Sequence, residues 1–330
     1  MKIGYITESF SGSKGNGITS QAQTWASMLN SLLPGTVTLV NPWEPIDWNE
    51  GDIVHLFGSS NTWFWDTTNK LKKRGCRVYW SPICDNTDSP RIQKIKSFLG
   101  NESFQIFSLP FIRKKTCNLV DKIFVRSEYE QKYLEKAYNI SPEKMVFVPL
   151  SLSTEESYEY GPKEPFCLHI SSIYQSRKNV LRLISAAKKY GFHLKLIGDK
   201  GSPEQYKPIQ EAIEGCQNIE VLGFVSEQEK KQLYKSAKVF ALPSLKEGVG
   251  IVALDAAHYG CEVIITSIGG PKEYFGKFGH IVNPYDIDDI GKNILKAMNQ
   301  GYQPFLKEYV DKNFSKAHIT EKLLKIYGVK

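Results

Sequence analysis

No apolar run in this chain approaches the length that crosses a bilayer, and its opening, MKIGYIT, has no apolar signal core. Six cysteines (Cys76, Cys84, Cys117, Cys167, Cys216, Cys261) are scattered without a C-x-x-C pair. In a chain of 330 residues an even count alone argues for no disulfide framework. Low-complexity tracts and repeats of fixed period are also missing. These absences leave a globular protein expected in a reducing cytoplasm, with any membrane contact peripheral at the inner face.

What is present is ordinary in bulk: 41% hydrophobic and 23% charged residues. The length favours two domains, each able to bury a core. The net charge is +7, and part of it is clustered in KLKKRGCR (Lys70–Arg77) and RKK (Arg113–Lys115). Such runs are solvated faces, or patches for anionic lipid headgroups or a polyanionic substrate. No stacking motif is interleaved with them, so nucleic acid is not expected as a partner.

Short apolar runs alternate with helical patterns throughout. In the first half KIGYIT, VTLVNP, DIVHLFG, RVYWSP, VDKIFVRS and MVFVPL read as strands, with helices ITSQAQTWASMLNSLL and EYEQKYLEKAY between them. SLSTEESYEYGPKEP (151–165) reads as a linker. The alternation then restarts with FCLHISS and continues through HLKLIGD, IEVLGFV, VFALPS and EVIIT. The expected fold is α/β: two Rossmann-like, doubly wound parallel-sheet domains facing across a cleft. Their expected bounds are 1–155 and 164–315, with a C-terminal helix at about 316–330 packing back on the first.

The stretch EGVGIVALDAAHYG (247–260) sets Glu247 and Asp255 eight positions apart around a glycine turn. Gly248 and Gly250 allow a sharp turn and close backbone approach to a ligand. The helix that follows, read as Ile251–Tyr259 capped by Gly260, offers free amides that favour an anion by roughly 0.3–1 kcal/mol. Glu247 is suited to accept from hydroxyls, as on a sugar, and Asp255 from a second diol. Acidic residues near helix starts are also common for dipole reasons alone.

The flanks favour the ligand reading for Glu247 and leave a simple helix-start acid as the alternative for Asp255. SAKVFALPSLKEGVGIVALDAAHYGCEVIITSIGGPKEYFGKFGHIVNPYD resembles the C-terminal domain of the retaining GT-B glycosyltransferases of family 4. The matching positions are Pro243, Ser244, Glu247, Gly248, Gly250, Asp255, Gly260, Gly269, Gly270, Glu273, Pro284 and Asp286. SSIYQSRKNVLRL is similar to the family's strand-loop-helix with a phosphate-binding lysine, and GNGITSQAQTWASML to its glycine-rich loop and first helix.

The resemblance implies that Glu247 binds the donor sugar's hydroxyls and Lys178 neutralises the diphosphate leaving group. The amides of Gly248, Val249, Gly250 and Ile251 would hold sugar and phosphates beside Ser244, and Asp255 the ribose. Backbone around Phe224 and Val225 would meet the base, and Gly17 the diphosphate from the other domain. It also implies transfer from a nucleotide-sugar donor to a saccharide or lipid-linked acceptor in cell-surface polysaccharide synthesis. No metal or other cofactor would be required.

Three positions depart from the family pattern. Asp255 stands for the usual glutamate. Ser172 occupies the place of an arginine six residues before Lys178, with Arg177 the candidate substitute. WSPICDN lacks the family's histidine. His55, His169 and His258 read as satisfied core residues, although His55 matches a common family histidine. Asp85–Asp88 and Asp286–Asp289 read as turns or helix starts in preference to metal sites. A sugar-nucleotide epimerase is disfavoured by the lysine-then-acid arrangement. A non-catalytic sugar-nucleotide or glycan-binding subunit remains the alternative.

Overall fold

The computed structural model describes residues 1–7, 17–41, 46–58, 61–84, 88–104, 106–154 and 156–329. The chain forms two compact units, 1–150 with 316–330, and 151–315.

The first unit contains β1 (Ile3–Thr7), α1 (Gly17–Leu32), β2 (Val37–Leu39), β3 (Ile53–Phe57), α2 (Thr62–Lys73) and β4 (Arg77–Ser81). Then come α3 (Pro90–Lys96), the hairpin strands β5 (Gly100–Asn101) and β6 (Ile106–Phe107), α4 (Leu109–Leu119), β7 (Lys122–Val125), α5 (Glu128–Tyr138) and β8 (Met145–Phe147). Its main sheet runs β2-β1-β3-β4-β7-β8, all parallel. β3 is buried along its whole length, as a strand covered on both faces must be.

The second unit contains β9 (Glu164–Ile170), α6 (Val180–Tyr190), β10 (His193–Ile197), α7 (Pro203–Ile213), β11 (Ile219–Gly223), α8 (Glu227–Ser236) and β12 (Ala237–Leu242). It continues with α9 (Ile251–His258), β13 (Glu262–Thr266), α10 (Pro271–Phe275), β14 (His280–Val282), α11 (Ile287–Asn299) and α12 (Phe305–Phe314). The last helix, α13 (Lys316–Tyr327), returns to the first unit. The second sheet runs β11-β10-β9-β12-β13-β14, again all parallel. Its chain order is the Rossmann 3-2-1-4-5-6, so the topological switch point lies between β9 and β12.

Local chemistry explains the element ends. Ser226 and Glu229 form a reciprocal capping box on α8, and Ser202 with Gln205 does the same on α7. Asp286 caps α11 by accepting from the amides of Asp288 and Asp289, so this acidic run is a helix start. Of the other acidic run, residues 85–87 lie outside the described residues. The basic run at Lys70 is the last turn of α2, where cations complement the helix dipole.

Two expected boundaries move. The first unit ends at Leu150, not at 155, and the segment read as a linker belongs to the second unit from Ser151 onward. Ser153 is tied there through its amide and hydroxyl, both bonded to Asp255. The linker's end, Glu164–Pro165, is already strand β9.

Candidate active site in the second unit

Ligands of open parallel sheets bind beyond the carboxyl ends of the strands at the switch point. Beyond β9, the chain turns through a short 3₁₀ segment, Ser176–Lys178, and enters α6 at Asn179. Beyond β12, it passes Pro243 and Ser244 into the glycine turn that starts α9. Asn179 joins these two loops. Its side-chain amide, 4% exposed, donates to the carbonyls of Pro243 (2.9 Å) and Pro284 (2.6 Å). Its φ of +61° is one that asparagine tolerates better than most residues. The Leu245 amide donates to the Arg177 carbonyl at 2.7 Å, which closes the junction.

That junction brings together the two residues expected to carry the chemistry. Lys178 Nζ lies 2.7 Å from Glu247 Oε2, with both side chains nearly buried. Ser244 Oγ donates to the same oxygen at 3.1 Å. Among the described residues Oε1 takes no hydrogen bond and remains available to a donor. An ammonium has three protons, so Lys178 keeps two beyond this pair.

The glycines are required by space. Gly250 caps α9 at φ +84°, and a Cβ there would press on Leu242 and Ile265. At Gly269, φ +88°, a Cβ would collide with the Glu247 carbonyl oxygen, so the loop after β13 braces the acidic turn from behind. Gly248 and Val249 are buried, whereas Ile251 is exposed at the helix start. The first amides of α9 have no acceptor within the helix. Phe224 is 79% exposed directly after β11, an aromatic face open to a planar ring, with Val225 half-buried next to it.

Other expected residues stand apart from this cluster. Arg177 is exposed and its Nε donates to Gln175 Oε1 at 2.8 Å, away from Lys178 and Glu247. Adjacent residues on a tight turn diverge, and here only the lysine turns inward. Asp255 is 5% exposed, and its two oxygens accept from the Ser153 amide (2.9 Å) and hydroxyl (2.6 Å). Burial raises its carboxyl above the usual range, against the lowering effect of these bonds. Asp255 still lines a cleft of ≈ 380 Å³ with Ser153, Thr154, Glu227, Lys230 and Tyr234. Gly17 opens α1 in the first unit, and the glycine-rich loop before it lies outside the described residues.

The three histidines are satisfied in place. His169 Nδ1 donates to the Ala241 carbonyl (2.8 Å), leaving Nε2 to accept from Ser171 Oγ (2.7 Å). Burial pushes its pKa down to about 4. His55 is fully buried between Tyr327 Oη (2.6 Å) and Ser81 Oγ (2.9 Å), and burial holds its pKa well below the usual value. His258 faces acceptors on both sides, Asp311 Oδ1 (2.6 Å) and the Glu156 carbonyl (2.9 Å). Sequence reading missed Asn179, whose role depends on two carbonyls far along the chain. Its only local signal was a polar residue opening an apolar helix.

Among the described residues no three His, Cys, Asp or Glu gather as a metal site, and no helix is long and apolar enough to cross a membrane.

Comparison with known proteins is consistent with this geometry. Residues 153–315 match the family of glycosyl transferases group 1. The serotype-specific mannosyltransferase WbdA of Escherichia coli is 26% identical over 243 residues, covering 67% of this chain but 29% of WbdA. The chain thus spans less than a third of that relative's length. Among solved structures, a sucrose-phosphate synthase from Thermosynechococcus elongatus superposes with a TM-score of 0.73 at 14% identity, covering 99% of this chain and 98% of that one. Anabaena Alr3699/HepE, solved with UDP and glucose, gives a TM-score of 0.73 at 12% identity over the full length of both chains. The chain therefore has the GT-B fold, and its segment 153–315 matches the family of glycosyl transferases group 1.

Proposed function

We propose that the chain is a retaining glycosyltransferase of family 4. It moves a sugar from a nucleoside diphosphate to a saccharide or lipid-linked saccharide acceptor in cell-surface polysaccharide synthesis. The observation that carries this reading is the Lys178–Glu247 pair held over the glycine turn at the β9/β12 switch point. In the reaction the anomeric C–O bond to the diphosphate breaks, and its electron pair goes to the leaving phosphate oxygen. The acceptor hydroxyl forms the new C–O bond on the same face and passes its proton to that phosphate oxygen.

Each residue has a role in that step. The free protons of Lys178 and the first amides of α9 meet the charge that develops on the diphosphate. Glu247, anchored through Oε2, accepts a donor-sugar hydroxyl at Oε1 and fixes the reacting carbon. Phe224 offers its exposed face to the base. At Asp255 the ribose hydroxyls take over the bonds that Ser153 makes. The proposed reaction needs no metal, and activity should persist in a chelator. The site of action is the cytoplasmic face of a membrane.

The test is turnover over a panel of UDP-, GDP- and other activated sugars. Mannosyl donors come first because WbdA carries that name. Glu247→Ala should lower kcat/KM by about 10²–10³-fold with nucleoside diphosphate affinity little changed. Lys178→Ala should weaken both. Full activity in both variants would overturn the assignment. The occupied carboxylate of Asp255 and the outward Arg177 favour a second reading, a non-catalytic sugar-nucleotide-binding subunit. Nucleotide binding without turnover of any donor would select it.

A further inference from the structure

Helix α3 is built inside out. A surface helix normally buries its apolar stripe and shows polar residues to water. Here Gln93 and Ser97 are the buried positions, at 7% and 2% exposure, while Ile92 and Ile95 face outward. Phe98 and Leu99 continue the apolar ridge, and the β5–β6 hairpin adds Phe104 and Ile106. All six are more than half exposed, within fifteen residues of chain. Isolated exposed apolar residues need no explanation, but a cluster of this kind marks an interaction surface.

The charge beside the ridge identifies the occupant. Arg91, Lys94 and Lys96 are exposed on α3 and make no ion pair among the described residues. Lys114 reaches over Phe98, its Nζ 3.6 Å from the ring centroid. Lys94, Phe98 and Lys114 line one cleft of ≈ 310 Å³, so two ammonium groups and an aromatic ring open into the same space. Segment 88–115 holds six basic and two acidic residues. Apart from Lys114, the basic runs that stand out in the sequence contribute less: Lys70 pairs with Asp66, Lys72 with Asp121 and Lys115 with Glu102. Arg113 is turned inward against Tyr138.

We propose that this face docks on a bilayer containing anionic phospholipid. The ridge enters the acyl boundary, and the Lys94–Lys114 cleft takes a lipid phosphate. The inference gives the peripheral contact of the proposed function its surface. Vesicle binding reads it without turnover, so the two proposals fail separately.

The test is vesicle flotation with phosphatidylcholine alone and with phosphatidylglycerol added. The protein should float only with the anionic vesicles, and added salt should weaken the binding. Lys94→Glu with Lys114→Glu, and separately Phe98→Ser with Phe104→Ser, should each lower affinity about tenfold or more. Lys70→Glu should have a smaller effect. All these positions are on the surface, so thermal melts and hydrolysis of free donor should stay at wild-type values. Phe104→Trp should also shift its emission to the blue on anionic vesicles. Absent or salt-insensitive vesicle binding would overturn the proposal. So would binding untouched by both double variants, or a ridge-dependent dimer in place of vesicle binding.

Discussion

Lys178 and Glu247 are 69 positions apart in sequence and 2.7 Å apart in space. Their meeting depends on Asn179, which ties the β9 loop to Pro243 and Pro284, and on the Leu245–Arg177 backbone bond. His169 lies at the end of the same strand and supplies a measurable consequence. Burial pushes its pKa from 6.5 down to about 4, so the folded protein leaves it neutral where the unfolded chain already binds a proton. Its contribution is full above pH 6.5 and is lost as the pH falls towards 4, by about 3 kcal/mol in total. Asp255 works in the opposite sense, because its raised carboxyl pKa favours the folded state as the pH falls. Denaturant unfolding from neutral pH to about 4 checks this. His169→Asn should flatten the profile relative to wild type, and an unchanged slope would exclude the histidine as its source. Residue identities were largely legible from the sequence, since the acid-glycine turn and the lysine are local patterns. Their partners were not, because Ser153 reaches Asp255 across 102 positions and only in the folded unit.

At the scale of elements, α13 is the clearest case of distant sequence completing a core. Tyr327 lies fully buried among Tyr5, His55, Tyr79 and Phe124, and its hydroxyl bonds both Tyr5 (2.7 Å) and His55 (2.6 Å). Tyr327→Phe keeps the ring but leaves two buried polar groups short of a partner. It should cost about 1–3 kcal/mol, measured by chemical unfolding. Tyr327→Ala should cost about 3–5 kcal/mol, because a cavity opens as well. Equal stability of the Phe variant and wild type would mean that the buried pair contributes nothing. The strands were legible because parallel strands covered on both faces read as apolar runs. Several helices were not, including α2, α4, α7 and α12. The inverted α3 could not be read at all, since its periodicity does not say which face meets the core.

At the scale of the whole molecule, the two units give separate readouts. If the donor site lies in the second unit, a nucleoside diphosphate at about 100 times its Kd should stabilise that unit by about 2.7 kcal/mol. Calorimetry should show that shift in wild type and a reduced one in Lys178→Ala. A shift independent of Lys178 would move the nucleotide elsewhere. The sequence by itself determined the number of domains, the parallel α/β class and the acid-glycine turn, because each rests on periodicity or spacing between near neighbours. Tertiary structure alone decided that Lys178 turns inward and Arg177 outward, and that Asp255 holds Ser153. It also moved the unit boundary to Leu150 and turned an apolar ridge to solvent. These outcomes depend on which distant groups compete for the same hydrogen bonds and the same buried space, and chain order does not encode that competition locally.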